Sequence, residues 1–420
     1  MSGEKINATG IVAEYNPFHN GHQYHIKETR KKTGGAPIVA IMSGNFVQRG
    51  EPAAFDKYVR THMALLGGAD LVIELPTIFA VGGAEAFAAG AVAIMKGLGI
   101  NRISFGSESC DVERMRAVAE ILATEPPEFK AALKTGMDEG LSFVKARSIA
   151  CNIALGEEDI TTRQESNDIL ATEYIRQIIL EKADMELLPI KRTDSGYLDA
   201  KLPRSGNFAS ASAIRNEMPY MLELAPFTEI SRFMPPSTSQ LIENLNTKFK
   251  CILNDFFPII ASKVLSSKEE ELSEYLGGGE GLTQKLINEI RKADNIDALT
   301  GAMLSKRYTV GRIQRLYMSI LLGIKEKEFR DLSDAFVYGK SGYARVLGFD
   351  RVGSKLLKEI KKSDSCTIPI ITNINKEREL FDEKAARILE FDIFATDMFN
   401  LAKDRNLYDE SDFTMRPIMI

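Results

Sequence analysis

The chain has 420 residues, a formal net charge of −5 at neutral pH and a hydrophobic fraction of 44%. This length allows two or three domains with a sizeable core, and the acidic balance excludes nucleic-acid binding through a global basic field. The four cysteines are far apart and form no Cys-x-x-Cys pair, so they indicate neither a zinc ribbon nor a disulfide framework.

The N-terminus is polar and lacks the apolar run of a secretory signal peptide. The most apolar stretch, residues 69–100, contains Glu74, Pro76, Glu85 and Lys96, and these residues argue against a membrane-spanning helix. We therefore expect a cytoplasmic protein that does not bind a membrane. The sequence leaves its oligomeric state open.

The first distinctive segment, residues 10–25, holds three of the four histidines of the chain. Apolar residues 9–13 predict a buried parallel strand, an Asn-Pro pair ends the strand, and a helix begins near Gly21. The helix N-terminus and a glycine without a Cβ favour a bound phosphate at this point. His19 and His22 are the candidate catalytic residues, because their imidazoles can stabilise the charge on an α-phosphate under attack.

Two other roles could explain these histidines. A histidine at a helix start can act only as a cap, and three clustered histidines can bind zinc. At helical spacing, however, His19 and His25 would lie about 9 Å apart along the helix axis and about 120° apart around it. This separation argues against a shared metal ion, so the sequence predicts a phosphate site and no metal-binding residues.

Strands and helices alternate with short connections in the first part of the chain. We predict strands at 9–13, 37–42, 70–74 and 102–105, each followed by a helix, at 21–32, 55–66, 83–96 and 112–123. This alternation predicts an α/β fold, with a parallel sheet that helices cover on both faces and a ligand at the carboxyl ends of the strands.

Two loops at strand ends can reach the same edge of the sheet. Residues 43–52 supply backbone amides and Arg49, and Gly106 would let a base or a ribose lie close to the backbone. Either loop could equally be a plain turn.

Helical periodicity dominates the next segment. Asn167 precedes a predicted helix at 169–179 and is either its N-cap or a ligand of the nucleotide. Arg192 follows a late strand at 185–190, where it can reach a phosphate or remain solvated. Serines and an arginine at 209–215 could hold a polyphosphate, although a simple N-cap explains the serines almost as well.

The composition changes at residues 233–237, which we take as a domain boundary. We predict a catalytic domain at 1–232 and, at 237–420, a second domain that is helical almost throughout. The loop at 347–354 is similar to a helix-hairpin-helix loop, but its glycine spacing is wrong. The lysines at 355–362 are interpreted as a solvated helix face.

One basic segment of the second part is the best candidate for binding RNA. Its cations are Lys306, Arg307, Arg312 and Arg315. A helix that begins at Thr309 would bring the two later arginines together, beside Tyr308, whose ring could stack on a base. A solvated helix face is the alternative.

The segment Asn-Pro-Phe-His-Asn-Gly-His at 16–22 resembles the His-x-Gly-His signature of the nucleotidyltransferase superfamily. Other segments extend the similarity over most of the chain. They are Tyr24-His25, Met42-Ser43-Gly44, Gln48-Arg49-Gly50-Glu51-Pro52, Leu71-Val72-Ile73-Glu74-Leu75-Pro76, Phe105-Gly106-Ser107-Glu108 and Lys306-Arg307-Tyr308-Thr309. Together they resemble the tRNA(Met) cytidine acetate ligase family.

This resemblance implies a Rossmann-like, HIGH-type nucleotidyltransferase domain followed by a mostly helical C-terminal domain that binds tRNA. It implies an ATP-dependent ligase that converts acetate to acetyl-adenylate and transfers the acetyl group to N4 of the wobble cytidine of elongator tRNA(Met). ATP and Mg²⁺ would be the cofactors, and acetate and elongator tRNA(Met) would be the partners.

The family's nucleotide-binding positions carry over to one continuous segment and three later residues. These positions are Val12, Ala13, Glu14, Tyr15, Asn16, Pro17, Phe18, His19, Asn20, Gly21, His22, Gln23, Tyr24, His25, Gly106, Asn167 and Arg192. Two alternatives to the ligase are an adenylyltransferase for a small phosphorylated metabolite, such as a coenzyme A or NAD precursor, and a noncatalytic RNA-binding protein. The basic helical half argues against the first of these.

Overall fold

A mostly parallel sheet forms the centre of the protein, whose computed structural model describes residues 5–141, 143–156, 166–192, 201–220, 228–245, 250–403, 407 and 411–420. Its first strands are β1 (Ile6–Ala13), β2 (Ile38–Ser43), β5 (Leu71–Leu75), β6 (Ile100–Ser107) and β7 (Glu186–Lys191), while β3 (Phe46–Val47) and β4 (Glu51–Pro52) form a small hairpin. The long strands are parallel in the order β5-β2-β1-β6-β7. The carboxyl ends of β1, β6 and β7 therefore lie side by side.

Helices connect these strands, and each predicted strand and helix of the first part is present with ends that differ by a few residues. The helices are α1 (Asn20–Lys32), α2 (Lys57–Leu66), α3 (Thr77–Ala80), α4 (Ala84–Gly97), α5 (Val112–Thr124), α6 (Pro127–Asp138), α7 (Phe143–Leu155), α8 (Ser166–Leu180) and α9 (Ala211–Glu217). The inner strands β2 and β5 are buried along their whole length, as β2 illustrates with six buried residues in succession, whereas β7 has a single buried residue.

The remainder of the chain is mostly helical. Its helices are α10 (Thr228–Ser231), α11 (Pro236–Glu243), α12 (Phe257–Ser266), α13 (Glu269–Ser273), α14 (Leu282–Ile290), α15 (Ile296–Met303), α16 (Val310–Leu322), α17 (Glu326–Val337), α18 (Arg351–Lys362), α19 (Ile374–Glu377) and α20 (Glu383–Lys403). None of the helices in the described ranges is long and apolar enough to cross a membrane.

Three strands that the sequence analysis did not predict interrupt this helical part. They are β8 (Ala344–Phe349), β9 (Ile370–Ile371) and β10 (Ile418–Met419). β8 pairs antiparallel with β5, and both β9 and β10 pair with β8, which extends the central sheet. The segment 347–354, likened above to a helix-hairpin-helix loop, is the end of β8 and the start of α18.

Apolar packing joins the two predicted domains. Phe46, in the β3–β4 hairpin, packs edge-on against Phe256 and Phe399, with ring centroids 5.4 Å and 6.3 Å away. Phe79 and Phe336 pack with centroids 4.9 Å apart. One hydrophobic cluster therefore spans both parts, and the division at 232–237 remains a prediction.

A buried group of charges also joins the two parts. Lys57 on α2 pairs with Glu74 of β5 at 2.7 Å and with Asp412 at 2.9 Å. Arg345 of β8 pairs with the same two carboxylates at 3.0 Å and 2.9 Å. The four side chains are at most 6% exposed, so each charge depends on its partners for neutralisation.

Candidate active site

The loop between β1 and α1 brings two imidazoles into contact. Tyr15 adopts a left-handed backbone conformation, with φ of 49°, directly after the strand. His19 is the N-cap of α1, and its Nδ1 accepts a hydrogen bond from the backbone N–H of Gly21 at 3.0 Å. The backbone N–H of His19 donates in turn to Nδ1 of His22 at 3.2 Å. The two rings stack with their centroids 3.7 Å apart.

These hydrogen bonds fix the tautomer of both rings. Because Nδ1 of His19 and Nδ1 of His22 each accept a backbone N–H, the ring proton of each neutral imidazole resides on Nε2. Each ring can therefore offer an Nε2–H donor to an anion. The helix cap that the sequence left as an alternative is real, and it also orients the two candidate catalytic groups.

The histidines of the motif are neutral at physiological pH. Burial, assisted by the nearby charge of Arg192, lowers the pKa of His19 to about 3 and that of His25 to about 4. Burial and the neighbouring His19 lower the pKa of His22 well below its ordinary value. The three rings are thus hydrogen-bonding groups without a full charge, and His25 is further held by a 2.9 Å contact from its Nε2 to Oγ of Ser104.

Glycine at position 21 leaves room for an imidazole. A Cβ at this position would lie 2.8 Å from Cε1 and 3.0 Å from Nδ1 of His19. A larger residue would therefore displace the stacked ring. This steric reason differs from the expected one, which was the close approach of a nucleotide to the backbone.

A cavity of about 170 Å³ lies beside these histidines, at the carboxyl ends of β1 and β6. Three arginines line it, namely Arg49 from the β3–β4 turn, Arg192 after β7 and Arg215 on α9. Glu14 is the one carboxylate among the described residues that line the cavity. The surplus of positive charge suits a polyphosphate.

Hydrogen bonds hold two of these arginines in place. Nη1 of Arg215 donates to the backbone carbonyl of Asn16 at 2.7 Å, and its Nη2 pairs with Glu51 at 2.8 Å. Nη1 of Arg49 donates to Oγ of Ser212 at 2.9 Å. These side-chain contacts therefore connect three elements around the cavity, namely the motif loop, the β3–β4 hairpin and α9.

The opposite wall is formed by the end of β6 and the start of α8. The amide Nδ2 of Asn167 donates to Glu108, and Nε of Arg192 lies 3.8 Å from Oε1 of the same carboxylate. Gly106 lies under Arg192, where a Cβ would be 3.6 Å from Cγ of the arginine. Asn167 therefore uses its side chain to bond a neighbouring loop at the edge of the cavity.

The cavity brings together most of the predicted ATP-binding positions. Those that line it are Val12, Ala13, Glu14, Tyr15, Asn16, His19, His22, His25, Gly106, Asn167 and Arg192. Gly21 and Tyr24 line a smaller cavity of about 60 Å³, which shares the three histidines and Arg192.

Four predicted ATP-binding positions line neither cavity, and they are Pro17, Phe18, Asn20 and Gln23. Phe18 is fully buried in the core. The amide of Asn20 donates to the carbonyls of Asn207 and Arg232, and Oε1 of Gln23 accepts from Lys27. The structure therefore gives Phe18 and Asn20 roles in packing and in positioning the loop.

Several lining residues are absent from the predicted ATP-binding set. They are Ile11, Gln48, Arg49, Phe87, Phe105, Leu170, Tyr174, Ser210, Ala211, Ser212 and Arg215. Segments 43–52 and 209–215 carried a weak signal in their glycines, serines and arginines. The sequence contains no signal for Phe87 and Tyr174, because an aromatic residue on a helix is usually interpreted as a core residue.

Two buried polar atoms of the motif loop lack a hydrogen-bond partner among the described residues. They are the hydroxyl of Tyr15 and Nδ2 of Asn16. Both residues line the cavity, and both atoms can donate. A ligand that carries acceptor oxygens would satisfy them.

The basic segment lies at the start of α16. Lys306 and Arg307 are exposed, and Glu280 pairs with Arg312 at 2.9 Å and with Arg307 at 3.6 Å. Tyr308 is only 8% exposed and its hydroxyl donates to the backbone carbonyl of Glu280 at 2.5 Å. The expectation that the Tyr308 ring stacks on a base is therefore wrong.

Within the described ranges, no group of three or more His, Cys, Asp or Glu side chains is arranged to hold a metal ion. In particular, the rings of His19 and His22 stack on each other and their Nδ1 atoms accept backbone N–H groups. These nitrogens are already used in the cap of α1.

Comparison with known proteins places this geometry in a family. Residues 6–412 match the model of the HIGH nucleotidyl transferase family. A tRNA(Met) cytidine acetate ligase of Caldanaerobacter subterraneus subsp. tengcongensis is 39% identical over 97% of this chain and 98% of its own. The ligase of the same name from Clostridium perfringens is 37% identical over 99% of this chain and 100% of its own. The chain belongs to the tRNA(Met) cytidine acetate ligase family.

Solved structures agree with this membership. Crystal structures of Thermotoga maritima TmcAL superpose on the chain with TM-scores of 0.91 for an apo form and 0.89 for a form bound with alpha-thio ATP. The sequence identities are 30% and 29%, and each match covers 99% of both chains. The expected Rossmann-like, HIGH-type sheet followed by a mostly helical part is thereby confirmed, as is the resemblance to the ligase family.

Proposed function

We propose that this member of the family is an ATP-dependent tRNA(Met) cytidine acetate ligase. It activates acetate as acetyl-adenylate and transfers the acetyl group to N4 of the wobble cytidine of elongator tRNA(Met). The observation that carries the proposal is the stacked, neutral pair His19 and His22 beside a cavity that three arginines line. The bound alpha-thio ATP of T. maritima TmcAL supports ATP as the nucleotide, and a tRNA substrate agrees with the expected cytoplasmic location.

The first step makes acetate reactive. Acetate alone is a poor acyl donor, because its leaving group would be oxide. An acetate oxygen attacks the α-phosphorus of ATP, the bond between that phosphorus and the bridging oxygen breaks, and pyrophosphate leaves. Nε2–H groups of His19 and His22 donate to the α-phosphate oxygens as negative charge develops there. Arg49, Arg192 and Arg215 take up the charge of the departing phosphates.

The described residues that line this cavity do not form a site for the expected Mg²⁺. Magnesium is usually bound by one or two carboxylates together with phosphate oxygens. Burial raises the pKa of Glu14, and its Oε1 accepts the backbone N–H of Gln48 at 3.1 Å. Because this single carboxylate is engaged and flanked by Arg215 and Arg49, the lining residues do not fit a magnesium site. The ion remains a prediction, and the residues assigned above act without it.

The second step transfers the acetyl group directly. The N4 amine attacks the acetyl carbonyl carbon, the bond from that carbon to the AMP oxygen breaks, and the amine loses a proton. Among the described lining residues there is neither a cysteine nor a lysine that could form an acyl-enzyme. Oγ of Ser210 caps α9, and Oγ of Ser212 accepts from Arg49. Placement of the weakly nucleophilic amine is therefore a large part of catalysis.

The basic segment is the proposed contact with tRNA. Lys306, Arg307, Arg312 and Arg315 would contact phosphates of the RNA. This segment packs closely against the turn beside the nucleotide cavity. A Cβ at Gly50 in that turn would lie 2.4 Å from the backbone N of Arg315. The turn that carries Arg49 thus packs directly on α16.

Incubation of the protein with ATP, radiolabelled acetate and tRNA tests the function. We expect label in tRNA that depends on ATP, together with release of AMP and pyrophosphate. Label that never enters RNA, with AMP transferred to a phosphorylated metabolite instead, would establish the adenylyltransferase alternative. Binding of tRNA without any ATP turnover would establish the noncatalytic alternative.

A further inference from the structure

A second cavity of about 640 Å³ has no role in the mechanism above. Two of the helices that line the nucleotide cavity, α4 and α8, also line this one. On α8, Tyr174 lines the nucleotide cavity and Gln177 lines the larger one, about one helical turn later. On α4, Phe87 lines the nucleotide cavity and Ala86 lines the larger one. A ligand in the larger cavity would therefore lie next to the reaction.

One side of this cavity is suited to an anion. Arg312 and Arg315 line it, and no ion pair joins Arg315 to a carboxylate among the described residues. Burial and the charge of Arg312 lower the pKa of Arg315, which indicates an electrostatic need for a negative partner. α4 begins at Ala84, directly after Gly82 and Gly83 of the same wall, and no side chain caps its N-terminus.

Another side is suited to a group that donates hydrogen bonds. Gln177 is 2% exposed, and its Oε1 has no hydrogen-bond partner among the described residues. A buried acceptor without a donor is costly, so a ligand N–H is the natural complement. Oγ of Ser333, also in the lining, likewise lacks a partner in the described ranges.

An aromatic side chain, Tyr338, also lines this cavity. It is 59% exposed, so its ring is accessible to a ligand. The charged groups near Tyr338 are Glu181, Asp334, Glu85 and Arg176, while Arg315 lines the same cavity. Exposed aromatic rings are the surfaces on which proteins stack the bases of single-stranded RNA. Tyr338 thus supplies the stacking surface that the buried Tyr308 cannot supply.

The carboxylates that line the cavity do not neutralise its positive charge completely. Glu85 pairs with Arg176 at 2.9 Å, and Glu326 pairs with Arg330 at 2.7 Å. Asp334 is the third carboxylate of the lining. Two of the three negative charges are therefore already neutralised by other arginines. Because Arg312 pairs with Glu280 at 2.9 Å, Arg315 is the arginine that remains for a ligand.

We propose that this cavity binds a nucleotide of the tRNA that neighbours the reacting cytidine. Tyr338 stacks on its base, Gln177 accepts an N–H from that base, and Arg315 contacts its phosphate. The inference rests on the proposed function, because it requires an RNA substrate. A neighbour held here, one helical turn from the nucleotide cavity, directs the cytidine amine toward the adenylate.

The dissociation constant of tRNA, measured by filter binding at fixed salt without ATP or acetate, tests this site. We expect Tyr338→Ala and Gln177→Leu each to weaken binding about tenfold, as loss of one stacked base or one buried hydrogen bond does. Phe143→Ala removes a ring that is 54% exposed on α7 and lines neither cavity, and it should bind within about twofold of wild type.

The possible results distinguish a failure of the proposed nucleotide site from a failure of the proposed function. Because Tyr338 is exposed, its variant keeps the wild-type melting temperature, so it decides the question even where Gln177→Leu unfolds. Wild-type affinity in a stably folded Tyr338→Ala overturns the nucleotide site. A wild-type protein that binds no tRNA overturns the proposed function itself.

Discussion

Backbone hydrogen bonds orient the chemistry at the junction of β1 and α1. Nδ1 of His19 and Nδ1 of His22 accept backbone N–H groups, and this arrangement leaves Nε2 as the donor of each ring. The same bonds complete the N-terminus of α1. A substitution at either histidine therefore changes both the helix cap and the stabilisation of the α-phosphate.

Replacement of His22 by alanine should lower acetate-dependent ATP–pyrophosphate exchange by about 10²–10³, because one donor to the developing charge is lost. The matched control is His62→Ala on α2, since His62 lies outside the motif and lines neither cavity. Exchange that His22→Ala leaves at the wild-type rate would remove this histidine from the mechanism.

The low pKa values of the buried imidazoles predict how they respond to acid. Since the pKa is about 3 for His19 and about 4 for His25, both rings stay neutral from pH 5.5 to 8. Selective ¹³C labelling of the histidines should reveal no titration of these two signals in that range by NMR. A midpoint between pH 6 and 7 for His19 would contradict the burial that the structure describes.

The same shift has a consequence for stability. In the unfolded chain the pKa of a histidine is about 6.5. Below that pH, the histidines of the unfolded chain therefore bind more protons than His19 and His25 do in the folded chain. The contribution of His19 and His25 to stability is therefore complete above pH 6.5 and is lost as the pH falls toward 4 and 3.

The local sequence pattern made the motif residues predictable, but it did not show which distant residues contact them. His19, Gly21 and His22 are close in sequence and share one strand-loop-helix signature. Arg215 reaches the same cavity from about 200 residues away. Its segment, 209–215, suggests either a polyphosphate contact or a plain N-cap, and the hydrogen bond of Arg215 to the carbonyl of Asn16 and its ion pair with Glu51 decide where it lies. The steric role of Gly21 was equally out of reach, because it depends on the rotamer of a neighbouring ring.

At the scale of elements, α16 connects the proposed tRNA contact to the nucleotide cavity. The double variant Arg312→Gln/Arg315→Gln should weaken tRNA binding by at least tenfold and should reduce its dependence on salt, because two phosphate contacts are lost. Titrations at several salt concentrations measure both effects. Lys358→Gln, an exposed lysine on α18, is the matched control.

The same double variant should affect ATP–pyrophosphate exchange far less, since exchange requires no tRNA. Equal loss of exchange and of tRNA binding would indicate that the α16 arginines have a structural role at the Gly50 contact.

Strand β8 illustrates where reasoning by element fails. The alternation of strands and helices placed the first strands correctly, because each is followed by the helix that returns the chain. β8 pairs with β5, about 270 residues earlier, and its six residues lie between long helices. A short apolar run in that context does not distinguish a strand from a buried helical segment.

At the scale of the whole molecule, the buried charges link the final segment of the chain to the central sheet. Asp412→Asn should lower the free energy of unfolding by about 3–5 kcal/mol, because Lys57 and Arg345 would lose part of their neutralisation. Urea denaturation measures the change. Glu379→Gln, at an exposed position, should have little effect, and equal stability of the two variants would contradict a cooperative link through this cluster.

The central claim is that acetate, activated beside His19 and His22, is joined to a cytidine of tRNA. Mass spectrometry of the nucleosides of elongator tRNA(Met), after incubation with the protein, ATP and acetate, tests it most directly. The predicted result is N4-acetylcytidine at the wobble position, formed only when both ATP and acetate are present and strongly reduced with His22→Ala. Unmodified cytidine at that position, under conditions in which the protein is folded and binds the tRNA, would contradict the claim.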